Sequence, residues 1–236
     1  MTAVEPLFQT QVTCMYCESV FESSRVRPSF KKPSGSDTDF YLRYKEVNPD
    51  YYVVKVCPVC GFASTENFSD RFTASQRKTF EERVRSNWSM RDYGGKRGWD
   101  EAMQTFKLAL LCAQIKQEKD RIIAGMLHHI AWLWREKGDR EQEQRFLEHA
   151  LSAYVKVYET EGADVNNARL MYLIGELSRR TGQYKDAVLW FGRVINDKKI
   201  MDSAMIRASR EQWVATREDM IEAQMELPDE MKQNTK

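Results

Sequence analysis

The chain has 236 residues, 36 basic and 35 acidic, a net charge of +1 and 42% hydrophobic residues. That is room for one large or two modest domains with a real core, while the charge balance speaks against a general polyanion binder, which carries a basic excess. The start, Met-Thr-Ala-Val-Glu-Pro-Leu, has no basic stretch before an apolar run, and no segment approaches the ~18 consecutive apolar residues of a membrane helix, so neither a secretory leader nor a membrane span is expected.

Residues 1–9 read as an extended lead-in to a first C-x-x-C turn, Cys14-Met15-Tyr16-Cys17, followed by a strand. Lys31 to Asp39 is a polar loop rich in Pro, Gly and Ser. From Asn48 a turn, Asn48-Pro49-Asp50, leads into the β-branched and aromatic run Tyr51–Val56, which predicts a strand that delivers a second turn, Cys57-Pro58-Val59-Cys60-Gly61. Two such turns facing each other make a four-sulfur cage suited to zinc. Pro58 presets one turn angle, and Gly61 supplies the positive φ that lets amide hydrogens point at the sulfurs. Residues 1–72 therefore read as a small β zinc-ribbon-like module with a long insertion between its cysteine turns. Its eight Lys and Arg against nine Asp and Glu give it no basic character.

Past Thr65 the period becomes helical. Thr73-Ala-Ser-Gln76 is a capping box that starts a helix from about Ala74 to Asn87. Asp92 to Gly98 breaks the pattern, and helices resume from Trp99 to about Gln224. Within them Ile130-Ala131-x-x-Trp134-x-x-x-Gly138 matches Ile174-Gly175-x-x-Ser178-x-x-x-Gly182, and each is followed by a second helix with apolar or small residues at corresponding offsets. The spacing of 44 residues exceeds the ~34 of a tetratricopeptide unit. A long helix from Arg140 to about Glu161 accounts for the excess, its stripe Leu147, Leu151, Tyr154 and Tyr158 staying in phase. The fold class is mainly α: a tetratricopeptide-like hairpin array over 73–226, closed by a helix from Ser203 to about Met225, behind the small β module. Residues 227–236 are expected to form a flexible tail.

These residues together carry a family resemblance. The C-x-x-C turn, Asn48-Pro49-x-x-Tyr52-x-Val54-x-Val56-Cys57-Pro58-x-Cys60-Gly61, Leu108–Ala113, Ile130–Leu133, Tyr172-Leu173-Ile174-Gly175-Glu176-Leu177-x-Arg179-Arg180-x-Gly182 and Ala208-x-Arg210-x-Gln212-Trp213 resemble the bacterial domain-of-unknown-function family 2225. The resemblance runs over roughly residues 5 to 215. It implies a zinc-ribbon-like module followed by tetratricopeptide-like helices, a bacterial cytosolic setting, and Cys14, Cys17, Cys57 and Cys60 as metal ligands. It implies no activity.

Four thiolates with no nearby histidine point to structural rather than catalytic zinc, with iron as the alternative metal and thiol switching as a further role for the same site. Five cysteines, four in metal spacing, indicate a reducing compartment, the cytoplasm. Cys112, in an apolar run, is expected in the core. Adjacent His128 and His129 point about 100° apart and make no shared metal face. Taking Ile130 and Ile174 as equivalent inward positions, His128, Trp132 and Arg135 with Arg169, Tyr172, Glu176 and Arg179 are the expected lining of a concave partner-binding groove. Packing of Trp132 and Tyr172 against neighbouring helices is the alternative. The functional expectation is a zinc-binding, non-enzymatic protein that engages a peptide or protein partner. A nucleic-acid- or ribosome-associated regulator and a thiol-redox sensor are the competing readings, and the oligomeric state is open.

Overall fold

The computed structural model describes residues 4–161 and 167–232. They group into two compact units, one ending at Glu143 and the other beginning at Gln144. The fold is mainly α, with small antiparallel hairpins preceding a helical array. No helix among the described residues is long and apolar enough to cross a membrane.

In the first unit, β1 (Leu7–Thr13) and β2 (Val20–Val26) pair from Leu7↔Val26 to Thr13↔Val20, so their connecting turn carries Cys14 and Cys17. β3 (Gly35–Ser36) and β4 (Leu42–Arg43) form a two-residue hairpin inside the insertion. β5 (Lys55–Val56) and β6 (Ala63–Ser64) flank the second cysteine turn. The strand expected from Tyr51 is shorter than its composition suggests, because Pro49–Tyr52 is a 3-10 turn. Asn48 accepts the Asp50 amide and Pro49 opens the turn, and this local cap overrides β propensity.

The cysteine turns do not make a unit alone. α1 (Ala74–Arg83) starts at the Thr73–Gln76 capping box, as the sequence predicts. α2 (Trp99–Lys116) lies under the second turn, where the buried Cys112 sulfur accepts the Ala63 amide at 3.5 Å. Burial pushes the Cys112 thiol up to about 12, as suits a core residue. Gln76 and the buried Lys116 tie α1 to α2, and α2 to the segment just before α1: Gln76 donates to the Lys116 carbonyl at 2.6 Å, and Lys116 donates to the Ser69 and Arg71 carbonyls. The change of period near residue 72 therefore marks the passage from β to helix, while the compact unit continues through α3 (Asp120–Lys137).

α4 (Arg140–Glu161) is followed, in the second unit, by α5 (Ala168–Arg180), α6 (Tyr184–Asn196) and α7 (Ser203–Glu222). The repeat read from sequence has a shared backbone device. Gly138 (φ +79°) and Gly182 (φ +75°) both adopt the left-handed conformation. Each amide reaches back three residues, to Arg135 and Arg179, and the following amide reaches Trp134 and Ser178 respectively. This is one helix-ending motif used twice, and glycine serves it without steric cost. Gly175 has a different role: a Cβ there would lie 2.8 Å from the Phe191 ring, so its absence lets α6 approach α5.

The tail expected to be free from Leu227 is docked through Lys232. Met231, in the short α8 (Asp229–Lys232), is fully buried against Val188 and Met220, with Leu227 and Trp213 beside it. Apolar Leu227 and Met231, four residues apart, supply the anchors that the polar composition of the segment conceals. The remainder of the expected tail, 233–236, lies outside the described residues.

Candidate metal centre

The two cysteine turns are copies of one backbone arrangement. Cys14 N–H donates to Ser19 O at 2.9 Å, and Cys57 N–H to Phe62 O at 2.9 Å. Glu18 N–H closes onto Cys14 O at 3.0 Å, and Gly61 N–H onto Cys57 O at 2.9 Å. The amides of Tyr16 and Cys17 point at the Cys14 sulfur, and those of Val59 and Cys60 at the Cys57 sulfur. Both turns need a left-handed residue after the second cysteine, at φ +61° in Glu18 and +75° in Gly61. At Gly61 a side chain is excluded a second time, since a Cβ would meet Trp88 at 2.5 Å. Trp88 is held over the turn by its Nε1–H bond to the Pro58 carbonyl at 2.8 Å.

The hooks bring the Sγ atoms of Cys14, Cys17, Cys57 and Cys60 within 4.8 Å of one another. Cys14 and Cys60 stand 3.6 Å apart, as do Cys17 and Cys57. A tetrahedral ion with Zn–S bonds of about 2.3 Å places its sulfurs about 3.8 Å apart, so the spacing fits such an ion. Three of the four are buried. Left to themselves the thiols titrate apart. Cys14 is drawn down to about 5, chiefly by its hydrogen bond with Cys60. That same contact, together with burial, pushes Cys60 up, and burial pushes Cys57 up to about 11. One thiolate forms readily, while Cys57 and Cys60 resist through these causes and, added to them, repulsion from the Cys14 charge. A divalent cation cancels that repulsion, after which all four thiolates can ligate it.

An aromatic cluster braces the site. Tyr16, inside the first hook, packs on Phe80 and Phe72, and Phe62, just past the second, packs on both. Arg77 of α1 lies over the Tyr16 and Phe72 rings and donates to the Tyr16 carbonyl. No carboxylate or imidazole joins the four sulfurs, and among the described residues no second group of three or more such ligands gathers.

A family model described as "Uncharacterized protein conserved in bacteria (DUF2225)" matches residues 7–216. The chain belongs to that family. Comparison with curated proteins finds no match.

The remaining site expectations of this DUF2225 member concern the seven groove residues. Three belong to the first unit and four to the second. His128 is 2% exposed. Its Nε2 lies 3.3 Å from the Asp39 carboxylate, the ring assignment depending on tautomer. Trp132 donates to the same carboxylate at 3.1 Å, and the Arg135 guanidinium grips it with Nη1 at 3.0 Å and Nη2 at 2.7 Å. Arg135 also bonds Asp37 at 2.9 Å and Glu143 at 2.6 Å. Burial opposes the Arg135 charge, but Asp39 and Glu143 outweigh it and hold the guanidinium firmly protonated. In place of open space, this face of α3 carries the insertion of the cysteine module.

In the second unit Tyr172 is buried beside Phe191. Glu176, 0% exposed, receives Arg179 through two bonds and Arg180 through one, and Arg179 also donates to Asp219 of α7 at 2.6 Å. Arg169 alone of the seven is exposed. The groove expectation meets a correction at the other six positions, whose side chains are buried or half-buried rather than open to solvent. Sequence reasoning passed over Asp37 and Asp39 because a polar Pro/Gly/Ser loop reads as solvated. Nothing in the local pattern marks Asp39 as the most enclosed carboxylate partner of a helix far along the chain.

Proposed function

We propose that this is a zinc-binding, non-enzymatic interaction protein in which the metal has a structural role and the helical hairpins serve a peptide or protein partner. The observation that carries the reading is the closed set of four sulfurs within 4.8 Å, supplied by two matching turns with no histidine or carboxylate among them. Such a set leaves no coordination position for substrate, and it cross-links turns that flank a long insertion. Zinc is favoured over iron because tetrahedral thiolate cages serve it without redox chemistry. The partner half of the reading rests on the hairpin architecture, a form that offers extended binding surfaces.

Metal analysis of the purified chain should return one zinc per chain and none from Cys57→Ser. Stoichiometric iron would replace zinc in this account, and an absence of metal would remove it. For the partner, charge reversal at Arg135 or Arg179 is a poor probe because both sit in internal ion pairs. Arg169→Glu, at an exposed position, should weaken capture of a protein partner, with circular dichroism confirming that the variant stays folded. Steeply salt-dependent binding to RNA or DNA would overturn the protein-partner reading in favour of a nucleic-acid role.

A further inference from the structure

The α3 face expected to receive a partner already has an occupant, and that occupant's chemistry describes a ligand. The segment Asp37-Thr38-Asp39-Phe40-Tyr41 turns sharply, with Phe40 at φ +70° and the Asp37 amide bonded to the Tyr41 carbonyl at 2.8 Å. The turn sends two carboxylates and one ring to the same place. Asp39 collects N–H groups from Trp132 and both terminal nitrogens of Arg135. Asp37 takes Arg135 from the side, and the Tyr41 ring lies 5.6 Å from Trp132 and 5.7 Å from the Arg135 guanidinium. A forked cation beside a donor-bearing aromatic is how proteins recognise carboxylates. The occupant is held from both ends, since the insertion starts after Cys17 and ends at Cys57, whose sulfurs stand 3.6 Å apart.

We propose that His128, Trp132 and Arg135 form a docking site for a segment with two carboxylates two positions apart and an aromatic two positions beyond, closed in cis by Asp37, Asp39 and Tyr41 for as long as the cysteine hooks hold the ends of the insertion together. Tethering gives the cis segment an effective concentration that a free peptide does not match, so the site is shut in the intact chain. Loosening either the cis contact or the tether opens it. The inference rests on the interaction reading above and adds the ligand chemistry and the gate.

The probe is a fluorescein-labelled synthetic peptide of residues 34–44, titrated into the full-length chain and followed by anisotropy. The zinc-loaded wild type should bind it weakly. Asp37→Asn with Asp39→Asn should bind at least about tenfold tighter, the scale set by one charge-assisted contact pair. Adding Arg135→Gln should abolish the gain, and a probe with both aspartates changed to asparagine should not bind. If the double variant fails to fold by circular dichroism, Asp37→Asn alone, which keeps the buried Asp39, replaces it, and chelation of the wild-type chain provides an independent opening. Equal affinity of the opened chain for the acidic and neutralised probes overturns the proposal. A partner whose capture survives Arg135→Gln but fails with Arg169→Glu would leave the interaction reading standing and remove this one.

Discussion

Arg135 and Arg179 hold the same place in α3 and α5, helices of the two sequence repeats, five residues past Ile130 and Ile174 and three before the helix-ending glycines. Both engage a carboxylate that is 0% exposed, yet the carboxylates come from different places. Arg179 finds Glu176 one turn back on its own helix, with Asp219 of α7 as the second acid. Arg135 finds Asp39, 96 residues away in the insertion of the cysteine module. At the position of Glu176 the first hairpin has Trp132, and at the position of Tyr172 it has His128. The second hairpin therefore carries its own counter-charge, while the first imports one. Two repeats with one backbone have been closed by different means, and only the imported closure depends on a loop whose ends are fixed elsewhere.

The largest expected effect separates the two directly. Chelation, or Cys57→Ser, should cost the first unit roughly 5 kcal/mol or more, the scale on which structural zinc contributes to folding. Hydrogen exchange should then show lost protection across β1, β2 and the amides of α3, with α5 to α7 unchanged. Equal loss in both units would mean that the import of Asp39 is irrelevant to the metal.

Removing each buried acid comes next. Asp39→Ala and Glu176→Ala should each destabilise by about 3 kcal/mol, because a guanidinium loses its most buried counter-charge in a poorly hydrated place. Denaturant melts would show it. Asp39→Ala alone should also raise exchange in residues 34–44, since Asp39 is the segment's most buried contact with α3; protection there unchanged would contradict the clasp.

Packing tests the second hairpin on its own terms. Gly175→Ala should cost about 1–2 kcal/mol despite alanine's better helix propensity, because the new methyl meets the Phe191 ring. Met231→Ala should lose about 2–3 kcal/mol if the final turn is a true part of that core. A melt unmoved by Met231→Ala would return the segment to a free tail.

The smallest effect is a matter of pH. Burial lowers the His128 pKa, and its neighbours Asp39, which favours the charged ring, and His129 and Arg135, which oppose it, leave the net shift downward. The unfolded chain then takes up a proton near pH 6.5 that the folded chain refuses. Stability from this group is complete above that pH and falls, by at most about 1.4 kcal/mol per pH unit, as pH drops from 6.5 toward the folded value. His128→Gln should flatten that limb of the pH–stability curve. The second hairpin has Tyr172 at the matching position and should show no such limb from it.

Much of the architecture was legible because its signals are local. The capping box at Thr73, the glycines at 138 and 182 and the two C-x-x-C turns are each written within a few consecutive residues, and each forms as read. Where the same device used a residue with no special signature, it was illegible. The ends of α2 and α7 repeat the left-handed stop of Gly138 with Gln117 and Gln224, at φ +53° and +55°, and glutamine announces no such turn. The turn at Asn48-Pro49-Asp50 was legible, but its continuation through Tyr52 was not, because a strongly β-like run starts there.

What the sequence by itself determined is the two cysteine turns, the helix-ending turns and the succession of helices, since short-range backbone chemistry decides them. Tertiary structure alone decided which faces are open. A histidine, a tryptophan and an arginine on one helix face look the same in sequence whether solvent or an aspartate lies opposite, and the pairing of Arg135 with Asp39 is set only when the insertion of the cysteine module is laid across α3. Burying a charge is tolerable only beside its counter-charge. Here the chain carried that counter-charge 96 residues upstream, in a segment whose composition gave every sign of facing water.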